Sequence, residues 1–217
     1  DSFEHMVQPK MVYISNPTEV GTIYSKAELT ALSATCHKYG LYLFLDGARL
    51  GYGLAAPDND LTLPDIAALC DVFYIGGTKV GALFGEAVVI KNPELAQDFR
   101  YLIKQNGGML AKGRLLGLQF DALFTDGLYQ VISAHAIAMA EKLREAFTAK
   151  GYTYLAPNRT NQIFVIVPDA HLAKISEQFE YSYDQRIDAT HSCVRFCTGW
   201  ATREENVDAL IRCVEKL

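Results

Sequence analysis

The chain has 217 residues, of which 50% are hydrophobic and 21% charged, a composition typical of a globular protein with one or two cores. Its 20 basic and 25 acidic side chains give a net charge of −5, which argues against the basic surface of a nucleic-acid-binding protein. No apolar run approaches the roughly 20 residues of a membrane-spanning helix, so we expect neither nucleic acid nor a membrane as partner.

The sequence contains five scattered cysteines: Cys36, Cys70, Cys193, Cys197 and Cys213. Cys193 and Cys197 have the spacing of a metal-binding pair, but no second pair with zinc-site spacing follows, so we expect no metal site. The first residues lack the basic and apolar regions of a signal peptide. Reduced thiols in such a chain indicate a cytoplasmic protein.

The first 90 residues predict alternating strands and helices. Apolar runs predict strands at residues 11–15, 41–45, 72–75 and 87–90. Helices should begin after Ser25, which forms a capping-box pattern with Glu28, and after Thr62. Because the links are short, the first three strands should be parallel, whereas the fourth returns after only a few residues and should be an antiparallel edge strand.

Helices are predicted next, over residues 92–104, over residues 109–123 and from Gly127 to Lys150. The long third helix should bury one stripe of side chains: Leu128, Val131, Ile132, His135, Met139, Leu143 and Phe147. Asn92 is expected to cap the first of these helices, and Gly127 precedes the third.

The C-terminal third predicts a small α+β domain. Short strands are expected at residues 153–155, 163–167, 181–187 and 194–197, with helices at residues 170–179 and 203–217. Thr202 and Glu205 have the spacing of a capping box for the last helix. We therefore divide the chain into a large domain, residues 1–125, and a small domain, residues 126–217, led by the long helix.

Two predicted strands end in residues that suggest chemistry. Asp46 and Arg49 follow the strand at residues 41–45, and Thr78 and Lys79 follow the strand at residues 72–75. In open α/β sheets, ligands bind beyond the carboxyl ends of the strands. We therefore expect the Asp46 carboxylate and the Lys79 amine to face one crevice.

The phrases LDGARLGYGL and DVFYIGGTKVGALFGEAVVI resemble the pyridoxal-phosphate threonine aldolases, a branch of the β-eliminating lyases of fold type I. VYISNPTEVGTIYSKAEL, KQNGGMLAKG and VRFCTGWATREENVDAL support the resemblance, in the family's order. It implies a mixed, mostly parallel α/β large domain with a small C-terminal α+β domain. It also implies an enzyme that cleaves the Cα–Cβ bond of β-hydroxy-α-amino acids, such as threonine to glycine and acetaldehyde.

The resemblance assigns four residues to the cofactor, pyridoxal 5′-phosphate. Lys79 matches the lysine that forms a Schiff base with it, a role that suits an amine held in dry, crowded surroundings between glycines that admit a flat ring. Asp46 matches the partner of the pyridine nitrogen, which it keeps protonated. Thr78 is expected at the phosphate, and Arg49 is expected to bind an anion, cofactor or substrate, through its guanidinium fork.

Three further residues are expected at the amino-acid substrate. Arg195 lies between apolar neighbours in a predicted strand and matches the clamp on the α-carboxylate, which would place the site between the domains. His5 has the spacing of a histidine near the substrate hydroxyl and would remove its proton. Lys104 matches a basic position supplied by a neighbouring subunit, so we expect a homodimer or homotetramer with the site near the interface.

The family's N-terminal part has no counterpart before Met11, so we expect the sequence to be roughly the last two-thirds of such an enzyme. We hypothesise that the 217-residue chain alone is inactive. Two alternatives remain open. A related β-eliminating lyase or an aminotransferase would share the set of Lys79, Asp46 and the arginines, and a non-catalytic fragment would use none of them.

Overall fold

The computed structural model describes residues 4–217, in which eight strands form two four-stranded sheets. The first sheet has the strands β1 (Met11–Ser15), β2 (Tyr42–Asp46), β3 (Val72–Gly76) and β4 (Glu86–Ile90), in that order. Strands β1, β2 and β3 are parallel, and β4 is antiparallel to β3 at the edge. This pairing confirms the one expected from the short connections.

The second sheet lies in the C-terminal part and is antiparallel throughout. Its strands are β5 (Thr153–Tyr154), β6 (Gln162–Pro168), β7 (Ser182–Arg186) and β8 (His191–Cys197), in the order β5, β6, β8, β7. The chain therefore has a mixed, mostly parallel α/β sheet followed by an antiparallel sheet of four strands, as the resemblance implied.

Nine α-helices accompany the sheets in the described residues. They are α1 (Lys26–Lys38), α2 (Leu50–Leu54), α3 (Leu63–Leu69), α4 (Pro93–Ala96), α5 (Phe99–Gln105), α6 (Arg114–Phe124), α7 (Leu128–Ala149), α8 (Asp169–Ile175) and α9 (Glu204–Glu215). The caps predicted at Ser25 and Thr62 are confirmed. Each hydroxyl accepts a hydrogen bond from the backbone N–H three residues on, at 3.2 Å and 3.3 Å, which fixes where α1 and α3 begin.

The first sheet buries one face only. Alternate residues such as Leu43, Leu45 and Phe73 pack with α1, α2, α3 and the first half of α7 in one core. On the opposite face, the rings of Tyr13, Phe44 and Tyr74 form a row, with centroids 5.3 Å and 6.1 Å apart. The carboxyl ends of β2 and β3 therefore present their polar residues next to an aromatic surface.

A second core joins the C-terminal sheet to the second half of α7 and to α8 and α9. Leu143 and Phe147 are the α7 residues at its centre, packed with buried residues of β6 and β8. The two cores thus meet along α7, since its first half belongs to one and its second half to the other. The division at residues 125 and 126 stays a prediction.

Three predicted helices have different bounds in the structure. Asp98 adopts a left-handed φ of 55°, which aspartate tolerates, so the helix predicted over residues 92–104 is two helices, α4 and α5. Helix α6 begins at Arg114 rather than at residue 109, because residues 111–113 form a turn. Helix α8 ends at Ile175 rather than at residue 179.

Two other expectations were wrong, and one helix was not predicted. Val131 is 63% exposed, because the buried stripe of α7 runs through Tyr129, Ser133 and Ala136 instead. Thr202 does not cap α9: its hydroxyl accepts a hydrogen bond from the N–H of Gly199 at 2.8 Å, in the preceding loop. Helix α2 was not predicted, since its two glycines lower the helix propensity of a short segment.

The described residues also bear on metals, membranes and disulfides. Within residues 4–217, no three or more His, Cys, Asp or Glu side chains are grouped so as to hold a metal ion. In the same range, no helix is both long enough and apolar enough to cross a bilayer. All five cysteines are free thiols.

Candidate active site

Asp46 ends β2 on the aromatic face of the first sheet. Its Oδ2 accepts a hydrogen bond from the hydroxyl of Tyr13 on β1, and its Oδ1 accepts one from the N–H of Ala48 at 2.9 Å. Tyr74, on the neighbouring strand β3, also interacts with this carboxylate through its hydroxyl. Two phenols from flanking strands therefore hold the carboxylate in place.

These contacts shift the pKa values of Asp46, Tyr13 and Tyr74. Burial acts to raise the pKa of Asp46, but hydrogen bonds from Tyr13, Tyr74 and Ala48, together with the Lys79 charge, outweigh it and hold the pKa below its usual value. The pKa of Tyr13 is raised by its hydrogen bond to Asp46 and then by burial, and that of Tyr74 is raised by burial and by Asp46. At neutral pH the carboxylate is therefore charged and both phenols keep their protons.

Lys79 lies in a single 3₁₀ turn, Thr78–Val80, that follows β3. Thr78 and Lys79 are both exposed, so the dry, crowded surroundings expected for Lys79 are not found in the described residues. The Lys79 charge is nevertheless close enough to Asp46 to help lower the pKa of that carboxyl. Both residues lie at the carboxyl ends of neighbouring parallel strands, and the shared crevice expected for their side chains stays a prediction.

The glycines around Lys79 serve the packing of the backbone. A Cβ on Gly76 would lie 2.2 Å from the carbonyl oxygen of Ala48, and one on Gly77 would lie 2.5 Å from that of Gly85. Both approaches are shorter than any side chain permits, so glycine is required where the Lys79 turn contacts the end of β2 and the loop before β4. The approach of a flat ring to these glycines stays a prediction.

Glu86, which the sequence analysis missed, lies beside the Lys79 turn. Its Oε2 accepts a hydrogen bond from the N–H of Gly77 at 2.8 Å. Burial raises the pKa of Glu86 above its usual value, and the Gly77 hydrogen bond and the Lys79 charge only partly oppose this. The predicted hairpin could have located Glu86, because it pairs with Gly76 in the register of β3 and β4.

A second group of charges lies where the two parts of the chain meet. The carboxylate of Glu19, in the loop after β1, lies 3.7 Å from Nη1 of Arg49 and 3.5 Å from Nη1 of Arg195. Arg49 precedes α2 and Arg195 lies on β8, so one carboxylate faces guanidinium groups from both parts. Burial raises the pKa of Cys197, while the charges of Arg195, Arg49 and Lys79 act to lower it.

The Arg195 guanidinium has few partners. Its Nη1 donates a hydrogen bond to Oε1 of the buried Gln162 at 3.3 Å, and its plane lies 5.9 Å from the centre of the Phe164 ring. Its Nε is buried and has no hydrogen-bond partner among the described residues. A buried N–H without a partner is costly, so this side chain is suited to accept an anion.

The other two predicted site residues are placed on the surface. Lys104 is an exposed residue of α5 and lines a surface hollow with Arg100, Tyr101 and Met109, away from the strand ends that carry Asp46. His5 lies in an exposed turn ahead of β1. The roles expected for both residues stay predictions.

The chain is similar to known proteins along most of its length. A family model described as Beta-eliminating lyase matches residues 1–170. The low specificity L-threonine aldolase of Pseudomonas sp. (strain NCIMB 10558) is 33% identical over 210 residues, which cover 95% of this chain and 59% of that protein. A solved threonine aldolase of Leishmania major is 45% identical, with a TM-score of 0.97 over 100% of this chain and 63% of that one. The chain thus spans about 60% of the length of its two matched relatives from Pseudomonas.

More distant solved structures bear on the fold alone. An aspartate aminotransferase variant of Thermus thermophilus is 16% identical, with a TM-score of 0.69 over 96% of this chain and 57% of that one. The architecture is therefore the α/β fold of the fold-type-I pyridoxal-phosphate enzymes.

Proposed function

The chain belongs to the β-eliminating lyase family, and from this premise we propose that it is part of a pyridoxal-phosphate-dependent threonine aldolase. Such an enzyme cleaves the Cα–Cβ bond of a β-hydroxy-α-amino acid, so that threonine gives glycine and acetaldehyde. The main support is the placement of Asp46 and Lys79 at the carboxyl ends of the neighbouring parallel strands β2 and β3, where the Lys79 charge acts to lower the Asp46 pKa. The similarity to two threonine aldolases adds to it.

The residues present fit pyridoxal phosphate in two respects. Asp46 has a lowered pKa and therefore offers a charged carboxylate to a pyridinium N–H. Lys79 offers an exposed amine after the neighbouring strand β3, and Thr78 offers an exposed hydroxyl to the phosphate. When bound, the cofactor supplies an electron-withdrawing ring that stabilises a carbanion at Cα.

The remaining roles concern the substrate. Arg195, with its buried unpaired Nε, would bind the α-carboxylate, and Arg49 would add a second guanidinium from the other part of the chain. His5 would accept the proton of the β-hydroxyl, as retro-aldol cleavage requires. Lys104 would act from a neighbouring subunit of a homodimer or homotetramer. The free thiols support a reducing location such as the cytoplasm.

A non-catalytic role for the 217-residue chain is the second candidate, and the exposure of Lys79 favours it. A lysine that acts as a nucleophile is normally desolvated, because burial lowers its pKa and frees the amine. Thr78 and Lys79 are both exposed. On this alternative the chain folds but neither holds the cofactor nor turns over an amino acid.

Reduction with borohydride in the presence of pyridoxal phosphate separates the two candidates. We expect a stable adduct, located by peptide mass spectrometry at Lys79 and absent in Lys79→Ala. Lys91→Ala, which removes a lysine that follows β4, is the matched control and should keep the adduct. A folded chain with no adduct at Lys79 would favour the non-catalytic role. Product assays with threonine, serine and tyrosine would then distinguish an aldolase from a related lyase.

A further inference from the structure

Glu19 is the least expected member of the charged group between Arg49 and Arg195. Its side chain is 76% exposed, yet each of its two oxygens faces a different guanidinium group, at 3.7 Å and 3.5 Å. Both distances exceed those of a charge-assisted hydrogen bond, roughly 2.7–2.9 Å. The carboxylate is therefore a loosely held, exposed counter-ion.

The loop that carries Glu19 is fixed by buried contacts with the C-terminal part. The side chain of Asn158 donates a hydrogen bond to the carbonyl of Val20 at 2.8 Å, and that of Thr160 donates one to the carbonyl of Gly21 at 3.0 Å. Gln162, fully buried on β6, donates one to the carbonyl of Glu19 itself at 3.0 Å. The position of the Glu19 backbone is thus set by the fold, although its carboxylate is exposed.

The buried side-chain amide of Gln162 forms hydrogen bonds with both Glu19 and Arg195. Gln162 donates through Nε2 to the carbonyl of Glu19 and accepts through Oε1 from Nη1 of Arg195 at 3.3 Å. The carboxylate of Glu19 is therefore delivered to the guanidinium that has an unpaired, buried Nε. Arg195 keeps donors available for a second, better-aligned anion.

We propose that Glu19 is an internal counter-ion that competes with the α-carboxylate of the amino-acid substrate for Arg195 and Arg49. This inference deepens the proposed function and rests on it. In the ligand-free chain the Glu19 carboxylate pairs with both arginines, and a carboxylate ligand displaces it. Glu19 thereby lowers the affinity of the site for simple carboxylates and favours ligands that make further contacts.

Competition by Glu19 predicts the direction in which the dissociation constant for a carboxylate changes when the Glu19 charge is removed. A state in which Glu19 occupies the arginines does not bind the ligand, so the apparent dissociation constant equals the intrinsic one divided by the fraction of chains in which Glu19 is displaced. From the usual strength of exposed ion pairs, we expect removal of the Glu19 charge to lower the dissociation constant for acetate about two- to sixfold. Since exposed pairs are screened by salt, the factor should shrink as ionic strength rises. A purely structural Glu19 would give the opposite sign.

The test is a titration of the full chain, without cofactor, with acetate replacing chloride at constant ionic strength. The probe is the NMR signal of the Arg195 Nε–H group, which reports on this site directly. Glu19→Gln and Glu19→Ala should both bind acetate more tightly than the wild type. Glu177→Gln, which removes the same charge in the turn after α8, is the matched control and should not differ from the wild type.

Two results would overturn the proposal. Unchanged or weaker acetate binding by both Glu19 variants would show that Glu19 does not compete for the site. Acetate binding that persists in Arg195→Gln, read from the Nε–H signal of Arg49 with circular dichroism showing a folded chain, would show that Arg195 does not bind the anion. The borohydride test at Lys79 does not involve Glu19, so failure of this inference and failure of the proposed function can be told apart.

Discussion

The phenolic hydroxyl of Tyr52 donates a hydrogen bond to the backbone carbonyl of Lys79. The same oxygen accepts a hydrogen bond from the N–H of Trp200 at 3.2 Å, in the loop between β8 and α9. Tyr52 is buried on α2, and burial raises its pKa, so the phenol stays protonated and can donate. One side chain therefore joins the turn that carries Lys79 to the loop that follows the strand of Arg195.

We expect Tyr52→Phe to loosen this junction. The change leaves the Lys79 carbonyl and the Trp200 N–H without their partner, which should lower the free energy of unfolding by about 1–3 kcal/mol. It should also slow the formation of the borohydride adduct at Lys79, because the turn is no longer held against the C-terminal part. Urea unfolding and the rate of adduct formation measure the two effects.

Tyr129→Phe is the matched control for Tyr52→Phe. Tyr129 is equally buried, and its hydroxyl joins the N–H of Gly51 to the carbonyl of Gly76, at 3.1 Å and 3.0 Å. We expect a similar loss of stability but a smaller effect on adduct formation, since Tyr129 does not contact Lys79 directly. Equal rates of adduct formation in the wild type and Tyr52→Phe would contradict a positioning role for Tyr52.

The contact between Tyr13 and Asp46 should make stability depend on pH. The pKa of Asp46 in the folded chain lies below its unfolded value of about 3.9, despite the opposing effect of burial. Its contribution to stability is therefore complete above pH ~4 and is lost as the pH falls through the folded pKa. Tyr13→Phe removes one of the hydrogen bonds that lower the pKa, so we expect the Asp46 pKa to rise in this variant.

Urea unfolding at several pH values between 3 and 7, with carboxyl NMR of Asp46, measures this effect. Tyr13→Phe should be less stable than the wild type at pH 7, and the difference should shrink below pH ~4. The control is Tyr101→Phe, which removes an exposed phenol on α5 and should leave the Asp46 titration unchanged. A stability difference that stays constant down to pH 3 would rule out the Asp46 hydrogen bond as its cause.

The loop that presents Glu19 depends on Gly21. This residue has a φ of 84°. A Cβ placed on it would lie 2.6 Å from Oγ1 of Thr160, the atom that donates a hydrogen bond to the Gly21 carbonyl. We expect Gly21→Ala to cost about 2–4 kcal/mol, from backbone strain together with the clash. Gly151→Ala, at a φ of 78° with nothing within 4 Å, isolates the strain and should cost about 1–2 kcal/mol. Equal losses in urea unfolding would mean that the loop shifts away from Thr160 without cost.

Much of the first sheet and its strand-end residues was predictable because the signals are local. Apolar runs, the caps at Ser25 and Thr62 and the short links identify strands, helices and pairing before any distant contact is considered. The parallel order of β1 to β3 then brings Asp46 and Lys79 to the same edge of the sheet, as expected.

The residues that the sequence did not reveal depend on contacts between distant parts of the chain. Gln162 reaches the carbonyl of Glu19 across 143 positions, and Tyr13 reaches Asp46 across 33. Neither pair carries a local pattern, because an exposed glutamate in a loop and a tyrosine in a strand are both ordinary. The exposure of Lys79 depends on which parts of the chain pack around its turn, and the periodicity of apolar residues in the sequence does not show this.

The corrected stripe of α7 gives a final prediction about stability. Phe147 is fully buried in the C-terminal core, with its ring centroid 5.4 Å from that of Phe196. Phe147→Ala should therefore lower the free energy of unfolding by about 3–5 kcal/mol, through lost burial and the cavity left behind. Val131, predicted on the same stripe, is 63% exposed, so Val131→Ala should change stability by less than about 0.5 kcal/mol. Comparable losses for the two variants in urea unfolding would mean that Val131 is buried in solution, by association of this face of α7 with another surface.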